Sequence, residues 1–178
     1  MEPFLTNLFG IGSLLALVAL VMAVASLFIK TGFTSKLLDY ISKYSLVIVA
    51  VLSLGGIFGS LLYSNFVGFI PCELCWWQRV LLYPQSIIAI VALWKKDRRV
   101  LSTLLIMSIL GLIVALYQVY LQHWPDPNSF CSVGTSDCSR IYVQFMGFLT
   151  MPAMSAILFL WAIFASAVGA RRQTPVIE

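Results

Sequence analysis

Five stretches of this chain run for about twenty residues with almost no charge: 11–29, 44–66, 75–94, 100–121 and 145–168. At 1.5 Å per residue, about twenty helical residues cross the ~30 Å hydrocarbon core of a bilayer. Lipid offers no partner to a backbone amide, so a spanning segment must be a helix or a strand of a closed barrel. The runs are continuous and lack an alternating pattern, which selects helices. Composition agrees: 61% of the 178 residues are hydrophobic and 10% charged, where a soluble domain carries about 25% charged residues. The expectation is an all-α membrane protein embedded in a lipid bilayer. A cytosolic enzyme, a disordered tail and a disulfide-dense secreted miniprotein are excluded.

The formal charge of +4 comes from 11 basic and 7 acidic residues. The basic residues cluster between or after the apolar runs: Lys30, Lys36 and Lys43; Lys95, Lys96, Arg98 and Arg99; Arg171 and Arg172. No basic stripe with interleaved aromatics occurs, so nucleic acid is not an expected partner. Assigning these groups to the cytoplasm satisfies the positive-inside rule and leaves only Arg79 and Arg140 on the other side. The amino terminus is then expected outside and the carboxyl terminus inside. The first run lacks a basic segment before it, unlike a secretory signal. Gly55 and Gly59 give the second run a small face suited to ordinary helix packing. Pro84 and Pro152 are expected inside the third and fifth spans, kinking them.

The four cysteines, Cys72, Cys75, Cys131 and Cys138, all fall on the outer side of this topology. An extracytoplasmic face permits disulfides, and an even count suggests pairs. A Cys-x-x-Cys motif there could be a structural staple, a zinc half-site or a redox pair. Its neighbours favour redox chemistry. Pro71 precedes it and an apolar run follows, so both thiols are expected at a helix amino terminus, where the dipole and free amides favour thiolate. Arg79 lies one turn beyond Cys75 and would add a fixed cation. An arginine within a span costs about 3 kcal/mol at the bilayer centre and less at its edge, so its presence calls for a use.

A thiolate pair at the membrane boundary needs an electron acceptor. There is no Gly-rich nucleotide fingerprint, and His123 is the only histidine, so neither a dinucleotide nor haem is expected. A lipid-soluble quinone needs only a pocket beside the helix top, where Trp76, Trp77, Gln78 and Arg79 are available and Met151 of the fifth run can approach. The second pair, Cys131 and Cys138, is separated by six small or polar residues. Such a loop can close a disulfide and leave it exposed, the labile and exchanging kind. Pro125 and Pro127 suggest an extended approach to it.

The run Pro71-Cys72-Glu73-Leu74-Cys75-Trp76-Trp77-Gln78-Arg79 resembles the disulfide bond formation protein B (DsbB) family, in particular its short-loop BdbC type. So do Pro125-x-Pro127 leading to Cys131, Asp137-Cys138, Phe145-x-Gly147-Phe148 and Met151-Pro152. The resemblance covers about residues 44–170. The first apolar run departs from the family's usual four spans and is expected as one additional amino-terminal transmembrane helix, with a cytoplasmic linker, at 1–43, while 171–178 is expected as a cytoplasmic tail. The resemblance implies a four-transmembrane-helix bundle at 44–170. It further implies residence in the bacterial plasma (inner) membrane, a thioredoxin-fold extracytoplasmic thiol oxidase (DsbA/BdbD-like) as partner, and membrane quinone, ubiquinone or menaquinone, as cofactor.

By position, Cys131 would take the attack of the partner's thiolate and Cys138 would exchange with Cys72. Cys75 would then face the quinone beside Arg79, with Trp76, Gln78 and Met151 as further quinone contacts. Two features depart from longer-loop members: the Cys131–Cys138 loop has no room for an interfacial helix, and Gln118 stands where those members carry histidine. The rival readings are a four-cysteine zinc protein, although a six-residue spacing is looser than zinc sites use, and a transporter or scaffold with purely structural disulfides. No metal is expected in the favoured reading.

Overall fold

A computed structural model describes residues 2–28, 32–124, 131 and 138–172. It contains helices α1 (Glu2–Phe28), α2 (Gly32–Lys43), α3 (Ser45–Asn65), α4 (Glu73–Lys95) and α5 (Leu101–His123), a short hairpin of β1 (Gln144–Phe145) and β2 (Leu149–Thr150), and α6 (Met151–Arg171). Helices α1, α3, α5 and α6 are long and apolar enough to cross a membrane. Helix α4 has the same length as α5, but Glu73, Gln78, Arg79 and Gln85 make it more polar. It packs between α3 and α5 and, with α6, completes a four-helix bundle; α1 lies outside that bundle against α6. The chain is thus the expected helical membrane protein.

Buried Leu46, Val49, Ala89, Leu104 and Ala165 form the core where α3, α4, α5 and α6 meet. Such a core brings helices together by close packing, since lipid is as apolar as leucine. Gly111 marks the tightest approach: a Cβ there would sit 2.2 Å from the Phe159 ring, which is fully buried on α6. One buried polar pair joins α4 to α5, where the low dielectric strengthens it: the Gln85 amide donates to Ser108 Oγ at 2.7 Å, and Ser108 donates to the Leu104 carbonyl.

Two segments differ from the sequence expectation. The stretch expected as a linker holds α2, a helix that buries Leu38 and Ile41 and leaves Lys36, Asp39 and Lys43 exposed. It is tied down by an Arg172–Asp39 ion pair and by Arg98, which donates to the Ser42 carbonyl. The fifth apolar run does not start its helix at 145. Gln144–Thr150 folds back as a hairpin whose turn holds Met146 and Gly147 at positive φ. Pro152 consequently lies in the first turn of α6 and not inside the span, a place where its missing N–H removes no helical bond. Pro84 does lie inside α4.

Candidate functional site

The Cys-x-x-Cys motif opens α4. Cys72 is its N-cap in extended conformation, and the Cys72 carbonyl accepts the Trp76 amide at 3.1 Å. Glu73 places a carboxylate in the first turn, where the helix dipole favours it. The two sulfurs, which carry no disulfide, lie 3.1 Å apart, Cys72 buried and Cys75 half-buried. The Cys72 thiol is pushed far above its usual range, first by its hydrogen bond to Cys75 and then by burial. The neighbouring sulfur and burial thus both favour the protonated form at Cys72.

A second donor reaches the pair from α5. Gln118 Nε2 lies 3.2 Å from Cys72 Sγ and 3.3 Å from Cys75 Sγ. Its carbonyl accepts from Gln78 Nε2 at 2.8 Å, which fixes the amide with its N–H groups toward the sulfurs. Gln118 is a contact the sequence did not single out: it entered only as a substitute for histidine, and one apolar-looking helix face gave no sign of its reach.

Cys131 and Cys138 form a disulfide with Cα atoms 5.7 Å apart. The polar loop led to the expectation of an exposed bond, but the bond is buried: Cys131 and Cys138 are only 2% and 1% accessible. They pack with Cys72, Leu74 and Leu121 in one apolar cluster. The reason is the α5 end and the α4 start closing over the bond, a tertiary effect invisible in local composition. Pro125, Pro127 and Asp137 lie outside the described residues.

Arg79 is buried at 5% accessibility on α4. Its Nε donates to Ser60 Oγ at 2.7 Å and its Nη2 to the Ser60 carbonyl at 3.1 Å and to Ser64 Oγ. Its guanidinium also lies 5.1 Å from the Trp76 ring centre. No carboxylate pairs with it among the described residues, where the sole ion pair is Arg172–Asp39. The charge is held by hydroxyls, a carbonyl and a π face, so it stays available to an anion or a carbonyl oxygen. Ser60 and Ser64, four residues apart on α3, are the second set of site residues that sequence reasoning missed.

Cys75, Gln78, Arg79, Gln118 and Met151 line one partly open cavity of about 360 Å³ bounded by α1, α3, α4 and α6, with Gln118 reaching it from α5. Trp76 is half-exposed and is not among the residues that line this cavity. A smaller space of about 30 Å³ adjoins the sulfurs, lined by Cys72, Cys75, Gln118, Gln122, Arg140 and Met151 among others. The larger cavity is within the range of small-molecule sites, with mostly apolar walls and a few convergent polar groups. A guanidinium and amide donors at one end of an apolar pocket fit a quinone's carbonyl oxygens and hydrocarbon body. His123 is exposed and bonds the Val119 carbonyl, and no cluster of three metal-ligating side chains occurs among the described residues.

Comparison with known proteins bears on this arrangement. Residues 42–169 match the model of the family described as Disulfide bond formation protein DsbB. The SPbeta prophage-derived disulfide bond formation protein B of Bacillus subtilis is 38% identical over 120 residues, covering 67% of this chain and 80% of that protein. A probable disulfide formation protein C 2 of Bacillus cereus is 33% identical over 138 residues, 77% of this chain and 99% of that protein. Disulfide bond formation protein C of Bacillus subtilis is 36% identical over 115 residues, 64% and 83% of the two chains. No solved structure matches the chain.

Proposed function

The chain belongs to the DsbB family of disulfide bond formation proteins, and from that premise we propose that it is a membrane thiol:quinone oxidoreductase. In this reading it reoxidises a thioredoxin-fold extracytoplasmic thiol oxidase of the bacterial cell and passes the electrons to membrane quinone. The observation that carries the reading is the packing of a formed disulfide, Cys131–Cys138, against a reduced pair, Cys72 and Cys75, whose second sulfur opens on an apolar cavity. The zinc reading is disfavoured by the same disulfide, because it removes two of the four thiolates a tetrahedral site would need. The topology that suits the reading puts both pairs on the extracytoplasmic side, with the amino terminus outside and the carboxyl terminus in the cytoplasm.

Within this reading the partner's thiolate attacks Cys131, opening the Cys131–Cys138 bond and forming a mixed disulfide. The partner's second thiol resolves it, so the partner leaves as a disulfide and Cys131 and Cys138 remain as a dithiol. Cys138 then exchanges with the Cys72–Cys75 disulfide, which restores the Cys131–Cys138 bond and returns Cys72 and Cys75 to the dithiol seen here. When bound, a quinone supplies the two-electron, two-proton sink that reoxidises that dithiol. Gln78 and Arg79 are the donors available to hold its carbonyl oxygens, and Met151 adds an apolar contact. Gln118 keeps an N–H on both sulfurs, and Cys72 holds the proton so that Cys75 is the electron-rich sulfur.

The test is anaerobic mixing of the purified protein with a reduced thioredoxin-fold oxidase and quinone, following quinone absorbance. Stoichiometric loss of quinone absorbance with partner oxidation is expected. Multiple-turnover partner oxidation with no change in quinone, or partner oxidation in Cys75→Ser beyond the one equivalent that the Cys131–Cys138 disulfide supplies, would exclude the reading.

A further inference from the structure

The large cavity has a polar and an apolar end. Ser60, Cys75, Gln78, Arg79 and Gln118 gather at the cysteine end, while Ala16, Val51, Leu52, Leu158 and Trp161 line the remainder. Along α3 the lining runs from Tyr63 to Val51, about 18 Å at the helical rise, and along α6 from Met151 to Trp161, about 15 Å. The space is therefore longer than one ring and accommodates a ring with a tail.

One wall of the apolar part comes from α1, which lies outside the residues that match the family. Phe9, Gly12, Ser13 and Ala16 line the cavity, at the spacing of a single helical face. Three attachments seat this face. The Phe9 ring lies over Gly59 of α3, where an added Cβ would meet it at 3.4 Å, the Gly10 backbone abuts the Phe145 ring of the hairpin, and Trp161 Nε1 of α6 donates to the Ala16 carbonyl at 2.7 Å. The rest of α1 carries exposed Leu15, Val18 and Met22. Beyond Phe9, the α1 residues that line the cavity are small, while bulky Leu15, Val18 and Met22 face outward. A Cβ added at Gly12, or across the space at Gly55 of α3, would meet no atom within 4 Å.

We propose that α1 is a ligand-binding helix, its Gly12–Ser13–Ala16 face receiving the apolar tail of a lipid-soluble quinone whose ring is held at the Gln78–Arg79 end. The inference rests on the quinone reading above and adds a binding element to it. Bulk at Gly12 or Gly55 then selects against tailed quinones and spares the ring site.

The test measures equilibrium binding of a decyl-substituted benzoquinone and of its tail-less analogue to the full chain in lipid nanodiscs. In Gly12→Leu and in Gly55→Leu, the Kd of the decyl quinone is expected to rise about tenfold or more, equivalent to about 1.4 kcal/mol. The tail-less Kd should stay within about threefold, as one ring site is untouched. Leu15→Phe on the exposed face should change neither. Retention of the Cys131–Cys138 disulfide by thiol counting reports that the variants are folded. An unchanged decyl Kd in both glycine variants overturns the proposal, and so does equal weakening of both quinones. Wild-type protein that binds neither quinone removes the underlying reading and this inference with it, an outcome separable from the others by the unsubstituted chain alone.

Discussion

Gln118 on α5 donates toward Cys75 on α4 across 3.3 Å, and the same nitrogen lies 3.2 Å from Cys72. A hydrogen bond to a charged acceptor is worth about 1.5–3 kcal/mol when the acceptor is ionised, so this amide favours a sulfur anion over a thiol. Gln118→Leu is expected to slow iodoacetamide alkylation of Cys75 by about tenfold at an acidic pH where the sulfur is mostly protonated, at the lower end of that range, and by less at neutral pH. Gln118→Glu should slow it further, because a carboxylate replaces the donor with a like charge. Alkylation at the wild-type rate in both variants would show that the amide does not act on the sulfur.

Arg79 is the only cation in the large cavity's wall among the described residues. Arg79→Ala should lower the rate of quinone reduction by about a hundredfold, the scale of losing a charge-assisted contact. Lysine at this position should rescue only in part, since it lacks the planar fork that meets Ser60 and Ser64 together. Ser60→Ala should reproduce a fraction of the loss, about threefold to tenfold, by freeing the guanidinium to move. Stopped-flow quinone absorbance under nitrogen decides the order; a Ser60→Ala variant slower than Arg79→Ala would contradict it.

The roles assigned to the second pair separate on a non-reducing gel. Cys138→Ala leaves Cys131 as a lone thiol; oxidised partner should then form a covalent complex with it that reducing agent releases. Cys131→Ala, which keeps Cys138, should form little of that complex. Equal trapping by both variants would mean that either sulfur takes the partner's attack.

Packing gives a prediction independent of redox chemistry. A methyl at Gly111 would overlap the Phe159 ring at 2.2 Å, so Gly111→Ala must separate α5 from α6 or turn a fully buried ring. Overpacking of this kind costs about 1–3 kcal/mol. The thermal midpoint of the purified protein should fall, and Phe159→Leu on the same chain should recover part of the loss. A midpoint unmoved by Gly111→Ala would show that the helices yield freely there.

Much of this molecule was legible before its coordinates. The helix starting near Cys75, the cysteines gathered at one end and Arg79 beside them follow from length, charge and dipole, which act locally. Gln118 was not legible as a sulfur ligand, nor Ser60 and Ser64 as the seat of Arg79. These contacts join positions between 15 and 46 apart in sequence, and their register depends on how nearly uniform apolar helices rotate against each other. Helices apolar on every side carry little periodicity from which to read that rotation. The hairpin at 144–150 was missed for a related reason: an unbroken apolar run is compatible with helix and strand alike, and only the positive φ at Met146 and Gly147 turns it back. The buried disulfide shows the limit of loop composition, since polar neighbours did not keep Cys131 and Cys138 at the surface.

Cys75, Gln118 and Met151 border both the small space beside Cys72 and the large apolar one. The partition between the two chambers is therefore a single layer of side chains, and a sulfur atom forms part of it. In the proposed reading such a diaphragm lets one sulfur face the buried cysteine cluster on one side and the apolar chamber on the other.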